Sequence, residues 1–186
     1  MNPIKNKKNL EETIDEIRNF AYAYIEKYSP SKQQLKIYLY KKLIKKKQII
    51  SNKKEIFNLI DSVISTMAEQ KFLSDKYYSD VKSRAFLRKG YSLNKIRYTL
   101  IKKGIDEEYI KGSISKIKEK ESNPDFFSAI KICKRRRIGP SREENNRSLF
   151  YKKDISILAR SGFSYELSKQ VLNIPKEEFI KFCRMI

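Results

Sequence analysis

Arg84 and Arg88 stand four residues apart, and Lys134 to Arg137 read KRRR. Lys41, Lys42 and Lys45 crowd the end of one helix-forming stretch, while Lys102 and Lys103 stand at the matching place in another. Side chains of this kind recognise anions. Four residues is close to one helical turn, so Arg84 and Arg88 can address the same phosphate or carboxylate surface. The residues that catalysis would need are missing: the sequence has no histidine, no glycine-rich phosphate loop and no paired-cysteine motif. The acid pairs Glu11-Glu12, Glu107-Glu108 and Glu177-Glu178 each fall at or near an expected helix start, where the helix macrodipole accounts for them. These residues read as a binding protein, with no catalytic residue, no metal site and no cofactor expected.

Charge points the same way. The 186 residues hold 42 Lys and Arg against 22 Asp and Glu, a formal net charge of +20. That exceeds what solubility requires, and a polyanionic partner would relieve the self-repulsion. An AT-rich genome inflates lysine, so the arginines carry more of this argument than the lysines. Cys133 and Cys183 fit neither a zinc site nor a disulfide framework and read as reduced thiols. The N-terminus has no apolar signal core, and the longest apolar run, Phe20 to Ile25, is too short to cross a bilayer. A soluble cytoplasmic protein without a membrane partner is the expectation.

The elements that must hold these charges are helices, because five glycines and five prolines leave few breakers among abundant Lys, Glu, Leu and Ile. Leu10, Ile14, Ile17, Ala21, Tyr24 and Tyr28 form one helical stripe that Pro30 ends, and Ser31 with Gln34 offers a capping box for a second helix. A third helix is expected over roughly 53–70. Residues 75–89 carry Tyr78, Val81 and Ala85 on one side; Gly90 then stops that helix, Tyr91 folds back, and Ser92 caps the next, whose apolar face is Leu93, Ile96, Leu100 and Ile101. Gly104 closes it, and IDEEYI opens a helix carrying Ile110, Ile114 and Ile117. The order recurs near the end: a helix through Ile155, Leu158 and Ala159, then Gly162, Phe163 and Ser164 as stop, fold-back and cap, a helix to Leu172, and IPKEEFI. RKGYS and RSGFS are thus the same punctuation, and Ser31, Ser92 and Ser164 are each followed eight residues later by leucine.

The expected architecture is all-α, an elongated, curved array of three tandem three-helix repeats built from helix-turn-helix-like units. A basic tail, 1–9, precedes repeat 1 over 10–73 and repeat 2 over 74–121; a linking helix near 124–136 and the polar loop IGPSREENNR fill 122–146; repeat 3 spans 147–186. Of the twelve tyrosines, Tyr24, Tyr28 and Tyr78 read as core and Tyr91 as a staple, leaving Tyr98 as the candidate for stacking on a base.

The stretch Phe72 to Ile110, FLSDKYYSDVKSRAFLRKGYSLNKIRYTLIKKGIDEEYI, resembles the central repeat of the bacterial regulatory protein RecX family. The likeness lies in its Asp-x-x-aromatic start, its Lys-Gly, the Ile-Arg-x-x-Leu that follows and the Lys-Lys-Gly-Ile-x-Glu-Glu close. ILARSGFSYELSKQVL resembles the family's Arg-x-Gly-Phe-Ser-Tyr segment, and with the first repeat the similarity covers most of residues 18–183. Two departures stand out: Ser92-Leu93 where the family commonly has Gly-Pro, and Ser79 where alanine is usual. The resemblance implies a non-enzymatic monomer lying in the groove of the RecA–DNA filament, where it restrains ATP hydrolysis, strand exchange and filament growth. It also implies weak, non-specific, salt-sensitive binding to single- and double-stranded DNA. By matching position it puts Arg84, Arg88, Lys89, Arg97, Lys102, Lys103 and Arg160 at the contact. Two alternatives stand beside it. One is a basic helical-repeat DNA-binding protein acting without a recombinase, with Asn94 and Arg97 as its base readers. The other is a structural adaptor for some other acidic protein.

Overall fold

The computed structural model describes residues 3–45 and 53–186, with side chains of the first stretch described from residue 13 onward. The Leu10 side chain, the pair Glu11-Glu12 and the side chains of the segment 1–9 lie outside the described residues. Within them the chain is all-α: ten helices and one 3-10 turn, with no strand. The helices are α1 (Pro3–Tyr28), α2 (Lys32–Lys45), α3 (Lys53–Glu69), α4 (Asp75–Arg88), α5 (Leu93–Ile101), α6 (Glu107–Lys120), α7 (Pro124–Arg136), α8 (Glu144–Arg160), α9 (Tyr165–Leu172) and α10 (Lys176–Arg184). Among the described residues no helix is long and apolar enough to cross a membrane. The first helix starts at Pro3, not at Leu10; proline suits a first helical position, where its missing N–H has no partner to lose.

The chain divides into two compact units, one comprising Met1–Tyr78 with Lys103–Asp106 and the other Ser79–Lys102 with Glu107–Ile186. In the first, Ile17 and Ala21 of α1 pack on Leu35, Leu39 and Leu43 of α2 and on Ile56, Ile60, Val63, Ile64 and Met67 of α3. The amphipathic spacing of each helix produces that core directly. The N-terminus of α2 carries the expected reciprocal cap: Gln34 N–H donates to Ser31 Oγ at 3.2 Å and Ser31 N–H donates to Gln34 Oε1 at 3.2 Å. Two contacts that the sequence pattern does not disclose close the same end. Asp75 Oδ1 accepts from Lys32 N–H at 2.9 Å, and Ser31 Oγ donates to the Lys103 carbonyl at 2.7 Å. Tyr78 is buried as its stripe requires, but Tyr28 is 53 % exposed. It is the last residue of α1, and Ser29 turns the chain away with a φ of 42°, so the buried position there falls to Pro30.

In the second unit the core gathers Ala129, Ile130, Ile132 and Cys133 of α7 with Leu158, Phe163, Val171, Leu172 and Phe179 of α8 to α10. The buried face of α4 is Ser79, Ser83 and Leu87, and the Val81 and Ala85 expected there are only half-buried. The physical reason is close approach: small serines let α6 come near enough for Ser113 Oγ to lie 2.8 Å from Ser79 Oγ. Ile101 is exposed, because α5 is only nine residues long and Ile96 and Leu100 take its buried face. Ala159 is likewise exposed, one residue past the buried Leu158.

The polar stretch IGPSREENNR is not a loop throughout. Gly139–Ser141 form a 3-10 turn and α8 already begins at Glu144. The cause is Asp154, which is 1 % exposed and accepts from Gly139 N–H and from Nε and Nη2 of Arg142, each at 2.8 Å. This bidentate ion pair folds the segment onto α8. Arg147 adds donations from Nη2 to the carbonyls of Leu172 and Ile174 at 2.8 and 2.9 Å. The sequence marks Asp154 only as an acid four residues before Leu158, on the face that α8 buries.

Candidate nucleic-acid interface

The two Arg-x-Gly-aromatic-Ser segments become two turns of like geometry. Gly90 and Gly162 take φ of 78° and 88°, a region that residues with a Cβ resist. Tyr91 N–H donates to Phe86 O at 3.0 Å and its ring stacks on Phe86 with centroids 5.3 Å apart. Phe163 N–H donates to Leu158 O at 3.3 Å, and its side chain is buried. Ser92 Oγ then accepts from Lys95 N–H at 3.1 Å, and Ser164 Oγ accepts from Leu167 N–H at 3.2 Å. The aromatic fold-back thus closes the outgoing helix while serine opens the next.

What the spacing does not disclose is that the two turns pack on each other. A Cβ built on Gly162 would fall inside contact distance of Ser92 Oγ and lie 3.0 Å from Lys95 Cβ. Lys95 Nζ donates to the Arg160 carbonyl at 3.2 Å and sits 4.8 Å from the Tyr91 ring centroid. A lysine in the first turn of α5 faces the positive end of the macrodipole, and the carbonyl and the ring face offset that cost. The Gly90 turn also packs against α7: a Cβ there would lie 3.1 Å from Ser128 O and 3.3 Å from Lys131 Cβ, and Arg135 Nη1 donates to the Lys89 carbonyl at 2.8 Å. Arg88, Lys89, Arg135 and Arg160 are thereby gathered around the paired turns, joined by Lys95 and Lys131, which sequence reasoning missed. Their signal was positional: Lys95 stands three residues after the capping Ser92, and Lys131 one turn before Arg135.

The remaining basic residues differ in how far they are committed. Lys134 Nζ donates to the Cys183 carbonyl at 3.1 Å, so two of the four residues in KRRR serve backbone acceptors. Arg136 and Arg137 are exposed, and among the described residues their side chains bond nothing. Arg97 Nε donates to Glu107 Oε1 at 2.6 Å on the surface, where solvent screening leaves such a pair weak and ready to open. Tyr98 is 58 % exposed with Lys102 Nζ 4.4 Å from its ring centroid. Arg84 Nε donates to the Asp80 carbonyl one turn earlier at 3.0 Å. In the other unit, Lys41, Lys42 and Lys45 are exposed on α2, with Lys42 Nζ 5.3 Å from the Phe20 ring centroid. Gly104 has a φ of 74°, and a Cβ there would run into the Gln33 side chain.

Behind this surface lie groups whose protonation the fold alters. Asp125 Oδ1 accepts from Leu93 N–H at 2.7 Å, the same service that Asp75 gives Lys32 in the other unit. Burial raises both carboxyls above the ordinary range, and the backbone N–H donors offset this only in part. Burial likewise opposes ionisation of Asp80, but hydrogen bonds from Lys116 at 2.6 Å and Ser113 at 2.7 Å outweigh it, and the carboxyl is held below its usual value. The Cys133 thiol is pushed up to about 12, chiefly by burial. Both cysteines are free. Among the described residues no cluster of His, Cys, Asp or Glu could hold a metal ion.

No family model matches the chain. Three curated proteins do, each named Regulatory protein RecX. That of Myxococcus xanthus (strain DK1622) is 25% identical over 165 residues, covering 84% of this chain and 84% of its own. That of Agrobacterium fabrum is 29% identical over 108 residues, covering 58% of this chain and 55% of its own. Among solved structures, one described as the regulatory protein RecX superposes with a TM-score of 0.64 at 16% identity, covering 94% of this chain and 79% of that one. RecX from Lactobacillus salivarius superposes with a TM-score of 0.59 at 16% identity, covering 95% and 99%. At that identity the structural likeness establishes the helical fold.

Proposed function

We propose, from the similarity of this chain to three proteins named Regulatory protein RecX, that the protein regulates the RecA recombinase by binding the RecA–DNA filament. It acts without chemistry of its own, restraining DNA-stimulated ATP hydrolysis, strand exchange and filament growth in the cytoplasm. What supports this reading, beyond the family, is the gathering of Arg88, Lys89, Lys95, Lys131, Arg135 and Arg160 around two mutually packed turns. A filament groove offers phosphate and acidic protein side by side, and cations fixed on a rigid helical body meet both without losing much side-chain freedom. Contact with successive filament subunits would add avidity from individually weak sites. Association is expected to be fast, and to weaken as salt rises.

The test is DNA-stimulated ATP hydrolysis by RecA, titrated with this protein at two salt concentrations, with binding to the same DNA measured alone. Inhibition at concentrations too low to coat the free DNA supports a filament-directed regulator. Inhibition that only tracks DNA coating refutes it in favour of a DNA-binding protein that acts independently of the recombinase. No inhibition at all removes RecA as the target.

A further inference from the structure

Helices α4 and α6 pack side by side: Ser79 and Asp80 meet Ser113, and Asp80 also meets Lys116. Between the middle of α4 and the C-terminal half of α6 lies a small hollow of about 70 Å³ lined by Arg84 of α4 and by Lys116 and Lys120 of α6. Its size is far below the roughly 300–1,000 Å³ of ordinary small-molecule pockets, so it admits a compact polar group and excludes a base or nucleoside. Three cations and two carboxylates, Asp80 and Glu121, line it. Lys116 and Ser113 satisfy Asp80 from inside the hollow. Arg84 spends only Nε, on the Asp80 carbonyl; among the described residues its two Nη groups and the Lys120 ammonium bond nothing.

We propose that this hollow seats a single phosphate group, held by the Arg84 Nη donors and Lys120 Nζ. Asp80 occupies the inner end as a built-in counter-ion that keeps Lys116 from joining them. The charge balance supports the assignment, because one negative charge completes neutrality among three cations and two carboxylates. Arginine supplies the planar fork that matches two phosphate oxygens, and lysine a movable point charge. The phosphate is either that of a nucleic-acid backbone or free inorganic phosphate. Lys120 stood outside the sequence-based candidates, although it lies one turn after Lys116 on α6 just as Arg88 follows Arg84 on α4. This inference rests on the part of the proposed function that has the protein touch nucleic-acid phosphate.

Two probes test it: binding of a single-stranded oligothymidylate across a salt series, and inorganic phosphate titrated against the protein and followed by its phosphorus chemical shift. Lys120 is exposed and unbonded, so Lys120→Ala should fold as the parent does. It is expected to weaken oligonucleotide binding and to make the slope of log affinity against log salt shallower by about 0.7, the value of one single-strand phosphate contact. Asp80→Asn should move affinity the opposite way by releasing Lys116. If Lys120→Ala loses inorganic phosphate but keeps the oligonucleotide slope, the seat stands with free phosphate as its ligand. If both variants match the parent with both probes, or the parent binds neither probe, the seat is overturned. RecA inhibition, measured separately, then reports whether the regulator reading survives without it.

Discussion

Replacing Gly162 by alanine tests whether the two turns are mechanically joined. The φ of 88° alone costs an L-residue about 1–2 kcal/mol. The new methyl would also fall on Ser92 Oγ and sit 3.0 Å from Lys95 Cβ and 3.2 Å from Lys95 N. Ser92 can escape only by rotating away from Lys95 N–H, whose 3.1 Å bond is the cap of α5. Losing such a cap costs about 1 kcal/mol, within a range of roughly 0.5–2. Together these give about 1.5–4 kcal/mol, a large share of the roughly 5–15 kcal/mol that stabilises a typical domain. The assay is urea unfolding of the parent, Gly162→Ala, Ser92→Ala and the double variant. With Oγ already removed, the alanine methyl has less to displace, so the double variant should be more stable than the sum of the singles by about 1 kcal/mol. Additivity within about 0.5 kcal/mol, or a Gly162→Ala cost below about 1 kcal/mol, would refute the coupling of the turns.

Further outcomes follow from other parts of the molecule. Asp154→Ala leaves Arg142 and the Gly139 N–H without their acceptor and is expected to cost about 3–5 kcal/mol in urea unfolding; a loss below about 1 kcal/mol would mean the clamp does not hold the segment before α8. Arg84→Ala with Arg88→Ala, both exposed, should preserve the thermal transition and weaken binding to RecA–DNA filaments, and an unchanged affinity would remove both from the contact surface. A thiol reagent at mildly alkaline pH should modify the half-buried Cys183 well before Cys133, whose thiol is buried and pushed up to about 12; equal rates would contradict that burial. Asp125 and Asp80 should give opposite pH responses. The folded-state pKa of Asp125 is raised, so its contribution is fully present below the unfolded value near 3.8 and is lost as pH rises through the folded value. Asp125→Asn should therefore compare better with the parent at neutral than at acidic pH. Asp80, held low, contributes above 3.8 and loses that contribution as pH falls through its folded value, so Asp80→Asn should compare worse at neutral pH. Urea midpoints of the two variants that shift together with pH would sink this assignment.

Local chemistry was written plainly in the chain. The stop at Gly90, the fold-back of Tyr91 and the cap at Ser92 each depend on residues within one turn of one another, as do the equivalent three at Gly162. So does the Ser31–Gln34 box. A glycine needing positive φ, or a hydroxyl needing an N–H three residues on, leaves a signature that tertiary context rarely erases. The all-α class followed from the same source, because few breakers and a 3.6-residue apolar period leave little else to form.

Partnerships between distant segments were settled only by the tertiary structure. Asp75 reaches Lys32 and Asp125 reaches Leu93 across 43 and 32 residues, and nothing in a helix-start aspartate names the backbone N–H it will serve. The same holds for the serines of α4, whose burial depends on α6 approaching closely enough to use them. It holds also for the surface cations. Spacing ranks Lys134 with Arg136 and Lys116 with Lys120, yet packing commits the first of each pair to the Cys183 carbonyl and to Asp80. Which positive charges are left for a partner is decided by where oppositely charged and carbonyl groups arrive from elsewhere in the fold, and that is a property of packing, not of periodicity.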